Sequence, residues 1–144
     1  MAYLANGTQF HKLDSAGTAY EYTLTDVTNG GEIGGERSEI DITTLDSEAK
    51  ESMGGLPDNG ELTLEMLATV DNYSKFETDF KAGTINTYAV TFPFGTTESN
   101  MDKKFKGWVK SCKITGIEPD GLLKVAATIR ISGELQPFVK PVIP

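Results

Sequence analysis

The sequence predicts a mainly β protein: an antiparallel β-sandwich, or barrel-like pair of sheets, with one flanking α-helix. Three observations carry this. Apolar and polar residues alternate with a period of two in four separate segments, the mark of strands with one buried and one wet face. Glycine, proline, asparagine and aspartate cluster between those segments, where turns belong. One stretch alone switches to helical spacing.

In chain order, weaker strands are expected at Gln9–Leu13 and Tyr20–Val27, separated by the turn Ser15-Ala16-Gly17. Val27–Glu36, with its Gly-Gly-Glu repeat, reads as a flexible loop. It lacks the GK[ST] ending of a phosphate loop and carries Glu32 and Glu36 where phosphate needs positive charge. Glu36–Leu45 alternates Ile40 and Ile42 with Glu39, Asp41 and Thr43. Asp46–Asn59 is then a long connection, of a length that compact domains keep for functional or mobile loops. Gly60–Ala68 alternates Leu62, Leu64 and Met66 with Glu61, Thr63 and Glu65.

Asp71–Gly83 is the helix. Tyr73, Phe76 and Phe80 form its core stripe, Asp71 or Asn72 caps its start, and Gly83 suits a left-handed C-terminal cap. Asn86–Phe92 and Leu122–Ser132 are further alternating strands, with a weaker one at Lys104–Ile114. Pro119-Asp120-Gly121 makes the last two a hairpin. The expected core is Leu62, Leu64, Tyr73, Phe76, Phe80, Val90, Phe92, Val125, Ile129 and Ile131. Gln136–Pro144 holds three of the six prolines and reads as an extended tail.

Composition narrows the function. The 144 residues fit one domain, 1–144, with an N-terminal arm at 1–9, the long loop at 46–59 and the tail at 136–144. No apolar run approaches the ~20 residues of a membrane span, so no membrane anchor is expected, and the N-terminus lacks a secretory signal pattern. One cysteine, Cys112, excludes an internal disulfide, and its strand position suggests an inert, partly buried thiol. One histidine, His11, excludes multi-histidine metal sites and is expected at the surface. No catalytic constellation emerges, no metal or cofactor is implied, and the expected role is structural or binding rather than enzymatic.

The net charge of −8 is unevenly spread. Residues 1–72 carry 14 acids against three bases, and residues 73–144 carry seven acids against ten bases. Opposite-sign regions can attract copies head to tail, or simply neutralise each other within one fold.

The segments EIDITTLDSEAKESMGGLPDNGE, LTLEML, NYSKFETDFKAG, TYAVTFP, FKGWVKS and LLKVAATIRISGELQP occur in that order. Together, over roughly Gly34 to Pro137, they resemble the major tail tube protein of long-tailed, non-contractile bacteriophages. The most specific pieces are Phe105–Ser111 and the strand ending in Ser132-Gly133-Glu134-Leu135-Gln136-Pro137. That family is related to the tube proteins of contractile tails and type VI secretion systems. The resemblance implies a virion protein assembled in the bacterial host cytoplasm. Six copies would close into a ring, their inner sheets joined in one barrel without free edges. Stacked rings would form a conduit for double-stranded DNA, read without sequence specificity. The tape measure and tail completion proteins would be further partners. The alternatives are a tail terminator, a type VI-like secretion tube protein, or a carbohydrate-binding β-sandwich module.

Three residue sets follow as expectations. The assembly loop offers Asp46, Glu48, Lys50, Glu51, Met53 and Leu56. Lys103, Lys104, Lys106, Lys110 and Lys113 form a basic face complementary to it. An acidic lumen that repels phosphate would draw on Glu39, Asp41, Glu61 and Glu65, with Lys124 and Arg130 on the same polar strand faces.

Overall fold

A computed structural model describes residues 6–93 and 101–138. Among these the strands are β1 (Gln9–Leu13), β2 (Tyr20–Thr23), β3 (Val27–Asn29), β4 (Glu36–Asp41), β5 (Ser52–Asp58), β6 (Glu61–Leu67), β7 (Asn86–Thr91), β8 (Lys103–Thr115) and β9 (Lys124–Pro137), with one helix, α1 (Val70–Ala82). Seven strands form one antiparallel sheet in the order β2-β1-β7-β8-β9-β6-β3, and β4 and β5 form a separate hairpin.

The long sheet becomes two facing layers because β8 and β9 bend together. They pair with each other throughout, but β7 uses only Lys103–Gly107 of β8 and β6 only Lys124–Arg130 of β9. Register shifts at Lys104/Lys106 and Val109/Ser111 supply the bend. Gly107 sits at this corner, where a Cβ would lie 2.8 Å from the Arg130 carbonyl oxygen, so a side chain has no room. The core lies between the layers: Phe10, Leu62, Leu64, Met66, Val90, Phe105, Val109, Val125, Ile129 and Ile131.

One expected strand and one expected loop change form. Tyr20–Val27 divides into β2 and β3 around Asp26, which takes a positive φ of 57°. Asp46–Asn59 is not a loop throughout: Ser52–Asp58 is β5, paired with β4. The alternation rule missed it because Gly54, Gly55 and Pro57 interrupt the apolar pattern. The glycine-rich segment is likewise not all loop, since it includes β3, and Ile33 is half-buried against the core. The tail prediction also shifts: Gln136 and Pro137 belong to β9, and Phe138 is buried with Leu13 and Ala89 on the outer side of β1 and β7. Val139–Pro144, like Met1–Ala5 of the expected N-terminal arm, lies outside the described residues.

The helix is capped by Thr69, whose side chain accepts from the Asn72 N–H, rather than by Asp71 or Asn72. Gly83 closes it in the left-handed region at φ 62°. Its buried face is Asn72, Phe76 and Asp79. Tyr73 is half-buried, and Phe80, expected in the core, is 46% exposed. Polar contacts set this rotation. The Asp79 carboxylate accepts from Lys12 Nζ at 3.1 Å and from the Tyr22 and Tyr88 hydroxyls at 3.2 Å each. Asn72 donates to the Thr25 and Leu67 carbonyls. Apolar periodicity alone could not foresee two polar residues facing inward with partners waiting for them.

His11 is also a correction: it is 2% exposed, not a surface group. Its ring nitrogens lie 2.7 Å from Thr23 Oγ1 and 2.9 Å from Thr91 Oγ1, and the ring stacks on Tyr20. Both faces of β1 are therefore covered. Phe10 and Lys12 face the main core, while His11 and Leu13 face the smaller cluster with Tyr20 and Phe138. Cys112 is half-buried, and burial, with Glu77 adding to it, pushes its thiol pKa up, as expected of an inert thiol.

Two stability predictions follow. Phe76→Ala should cost about 3–5 kcal/mol in urea unfolding, whereas Phe80→Ala should cost about 1 kcal/mol or less. Equal losses would contradict this helix orientation. The second concerns Tyr22 and Tyr88, whose pKa values rise well above the ordinary 10.0, first through burial and then through the Asp79 charge. Above pH 10 the unfolded chain sheds these protons while the folded chain keeps them. Stability is thus undiminished below that pH and falls as pH rises past it. In an absorbance titration their phenolate signal should appear only together with unfolding. Phenolate appearing in the folded protein near pH 10 from both residues would oppose the buried cluster.

Candidate assembly surfaces

The β4–β5 hairpin, with its turn Ile42–Glu51, is an arm whose strand side chains are almost all exposed. Its turn is internally bonded. Thr43 Oγ1 donates to the Glu51 carbonyl and accepts from the Glu51 N–H, and the Thr44 N–H donates to Ser47 Oγ. The Asp41 carboxylate accepts from the Thr43 N–H, which holds its pKa below the usual range. At the root, Asp58 accepts from the Gly60 N–H, the main reason its pKa is low, and pairs with Arg130 at 3.0 Å. Asn59 Nδ2 donates to the Gly133 carbonyl.

The arm is amphipathic. Ile40 pairs with Met53 across the ladder, and the Ile40 side chain reaches toward Gly55. Arg37 lies over Gly54 on the opposite side, which alternation also gives to Glu39 and Asp41. The apolar side stays wet: Ile40, Ile42 and Met53 are about half exposed, and elsewhere on the arm Leu45 and Leu56 are almost wholly so. Two-stranded hairpins are marginal in water without a layer to pack on. From residue 36 to residue 58 the arm carries seven acids against two bases, and Asp46, Glu48, Lys50 and Glu51 sit in its turn.

The six lumen candidates do not share one surface. Glu61, Glu65, Lys124 and Arg130 lie on the polar face of β6 and β9, with Glu61 opposite Arg130. Glu39 and Asp41 stand on the separate arm. The β6–β9 face continues into β8, where Lys113 aligns with Ala126 and Trp108 with Arg130. Glu61 there forms an ion pair with Lys110. This face thus holds few free carboxylates among several lysines, which the sequence pattern could not reveal because it depends on strand neighbours.

The five lysines of the expected basic face all lie on β8, but not in one role. Lys110 is engaged with Glu61 of its own chain. Lys103 and Lys104 are half-buried, and Lys106 and Lys113 are exposed. Shallow grooves flank Lys106 near Ile85 and near Glu134. No group of three or more His, Cys, Asp or Glu residues could hold a metal among the described residues, and no helix among them is long and apolar enough to cross a membrane.

Several solved structures are similar in fold. The tail of an empty gene transfer agent particle, refined with C6 symmetry, matches at a TM-score of 0.76 and 17% identity, covering 96% of this chain and 100% of that one. The native gene transfer agent virion matches at 0.73 and 18% identity, with the same coverage. The SPP1 tail tube matches at 0.67 and 10% identity, covering 92% of this chain and 76% of that one. No curated protein matches the sequence significantly. The family model described as "Phage tail tube, TTP, lambda-like" matches residues 1–78, which include the arm and most of the helix. More than half of the sequence and the architecture of the described residues agree: the chain belongs to the lambda-like phage tail tube family, a structural component of virion tails and not an enzyme.

Proposed function

We propose that this protein forms the tail tube as stacked hexameric rings and that the tube conducts viral double-stranded DNA into the host. The observation that carries this is the uncovered amphipathic arm within the family-matched region. An apolar hairpin face left wet in the subunit is accounted for if another copy covers it. The C6 symmetry of the similar gene transfer agent tail supports six copies per ring. The whole chain serves as one tube domain, completed by the tape measure and tail completion proteins during assembly in the host cytoplasm.

In this reading the arm from 36 to 58 carries contacts between rings, helped by the N-terminal arm and the C-terminal tail. Asp46, Glu48 and Glu51 meet lysines of β8 on a neighbour, with Lys106 and Lys113 better placed than Lys110. For the lumen, the arm's charged side is the better source of carboxylates. Glu39 and Asp41 are exposed there, whereas Glu61 is tied to Lys110, and Lys113, Lys124 and Arg130 share its sheet face. A basic wall would retain phosphates and an acidic one lets them slide.

Replacing Ser47–Gly55 by a short Gly-Ser linker should leave a folded subunit that no longer polymerises in negative-stain micrographs. Tubes of normal length from that variant would reduce the arm to a spacer. Amide exchange gives a second test: Ile42 and Met53 should exchange far faster than Leu64 in the lone subunit and slow on assembly. Unchanged exchange in tubes would place the arm outside the contacts. In phage particles, Glu39→Lys with Asp41→Lys should slow DNA ejection more than Glu61→Lys with Glu65→Lys. The reverse order would move the lumen to the β6–β9 face.

A further inference from the structure

A second apolar surface lies at the other end of the β6–β9–β8 layer. The core stripe Val125, Ala127, Ile129 and Ile131 is fully buried, but its continuation Leu123 is 49% exposed. Ile114, opposite Val125 on β8, likewise overhangs the end of the core at 44%. The β8–β9 turn adds Ile117 and Leu122, and the Ala68 N–H bonds the Leu123 carbonyl, two residues before the exposed Val70 at the helix start. Five large apolar side chains therefore gather at one end with nothing among the described residues covering them. Such a concentration exceeds what scattered surface apolar residues need explain.

The arm is rooted at the opposite end. Asp58-Asn59-Gly60 leads into β6 at Glu61, and β6 ends at Leu67 opposite Lys124, beside the turn. The root of the arm is thus separated from the turn by the length of β6, about 20 Å. Two copies in the same orientation can bring an arm to a turn, and because the two surfaces differ such a contact is heterologous and repeats without end. Charge agrees: Lys113 and Lys124 flank the turn surface, while Asp46, Glu48 and Glu51 flank the apolar side chains of the arm. Glu118 and Asp120 at the tip of the turn offset those two lysines, so the charge match is confined to the lysine side of the surface.

From these placements we infer that the apolar side of the β4–β5 arm of one copy docks on the surface formed by Ile114, Ile117, Leu122, Leu123 and Val70 of the next copy along the tube. This rests on the reading of the arm as the stacking element and names the surface that receives it.

Oxidative cross-linking tests it. In a Cys112→Ser background, Met53→Cys with Leu122→Cys should give a ladder of covalent multimers from assembled tubes on a non-reducing gel. The control pair Met53→Cys with Ile85→Cys should remain monomeric. Tubes that ladder with the Ile85 pair, or with neither pair, overturn the assignment, as does an intrachain disulfide with Leu122→Cys. A second variant, Ile117→Asp with Leu122→Asp, alters only exposed side chains and should keep the circular dichroism of the parent while losing tube formation. Tubes from it would overturn the inference. The two readings fail differently: normal tubes from the linker variant lacking Ser47–Gly55 remove the arm altogether, whereas loss of tubes there with normal tubes from the aspartate variant removes only the receiving surface.

Discussion

One carboxylate fixes how the helix sits, and much of the remaining surface follows from it. Asp79 is 6% exposed and is compensated by an ammonium and two phenols from three different strands. A buried carboxylate without those partners would cost several kcal/mol, so the helix has one favourable rotation. That rotation turns Phe76 into the core and leaves Phe80 and Val70 outside. Val70, at the other end of the helix, is left exposed by the same rotation.

The bent β8–β9 ribbon is the second constraint. Because both strands run through both layers, the ends of the sandwich are set by where the apolar alternation starts and stops along them. The stripe begins at Leu123, one position before the core begins at Val125. A subunit meant to stand alone gains nothing from that overhang. The same holds for an arm whose hydrogen bonds are complete but whose apolar side is wet. The turn is preorganised by Thr43, Thr44 and Ser47, so docking would order few additional backbone torsions.

Much of this was legible in the sequence. Period-two alternation found β6 and β7 almost to the residue and the core half of β9, but not its extension to Pro137. β6 and β9 pack one face on the core and leave the other wet, whereas β7 is covered on both. Gln9–Leu13 matched although β1 is covered on both sides. Most failures share a cause. Phe80, His11 and Asp79 depend on partners distant in sequence: three strands for Asp79, two threonines for His11. β5 was hidden instead by Gly54, Gly55 and Pro57, which interrupt its apolar pattern. The family resemblance rested on Gly34–Pro137, whereas the family model matches residues 1–78, so the two overlap mainly in the arm, β6 and the helix. Within the residue sets, four of the five lysines fall in the expected strand Lys104–Ile114, and all five lie on β8. Chain position could not tell that Lys110 is already held by Glu61, nor that Glu39 and Asp41 belong to a different sheet from Glu61 and Glu65.

The central claim is that stacking joins the arm of each copy to the β8–β9 turn of the next. Helical reconstruction of tubes grown from the purified protein tests it most directly. The account predicts ordered density for residues 36–58, with Ile40 and Met53 against Leu122 and Leu123 of the axial neighbour. An arm lying free in solvent, or seated elsewhere on its neighbour while the turn stays exposed, would contradict it.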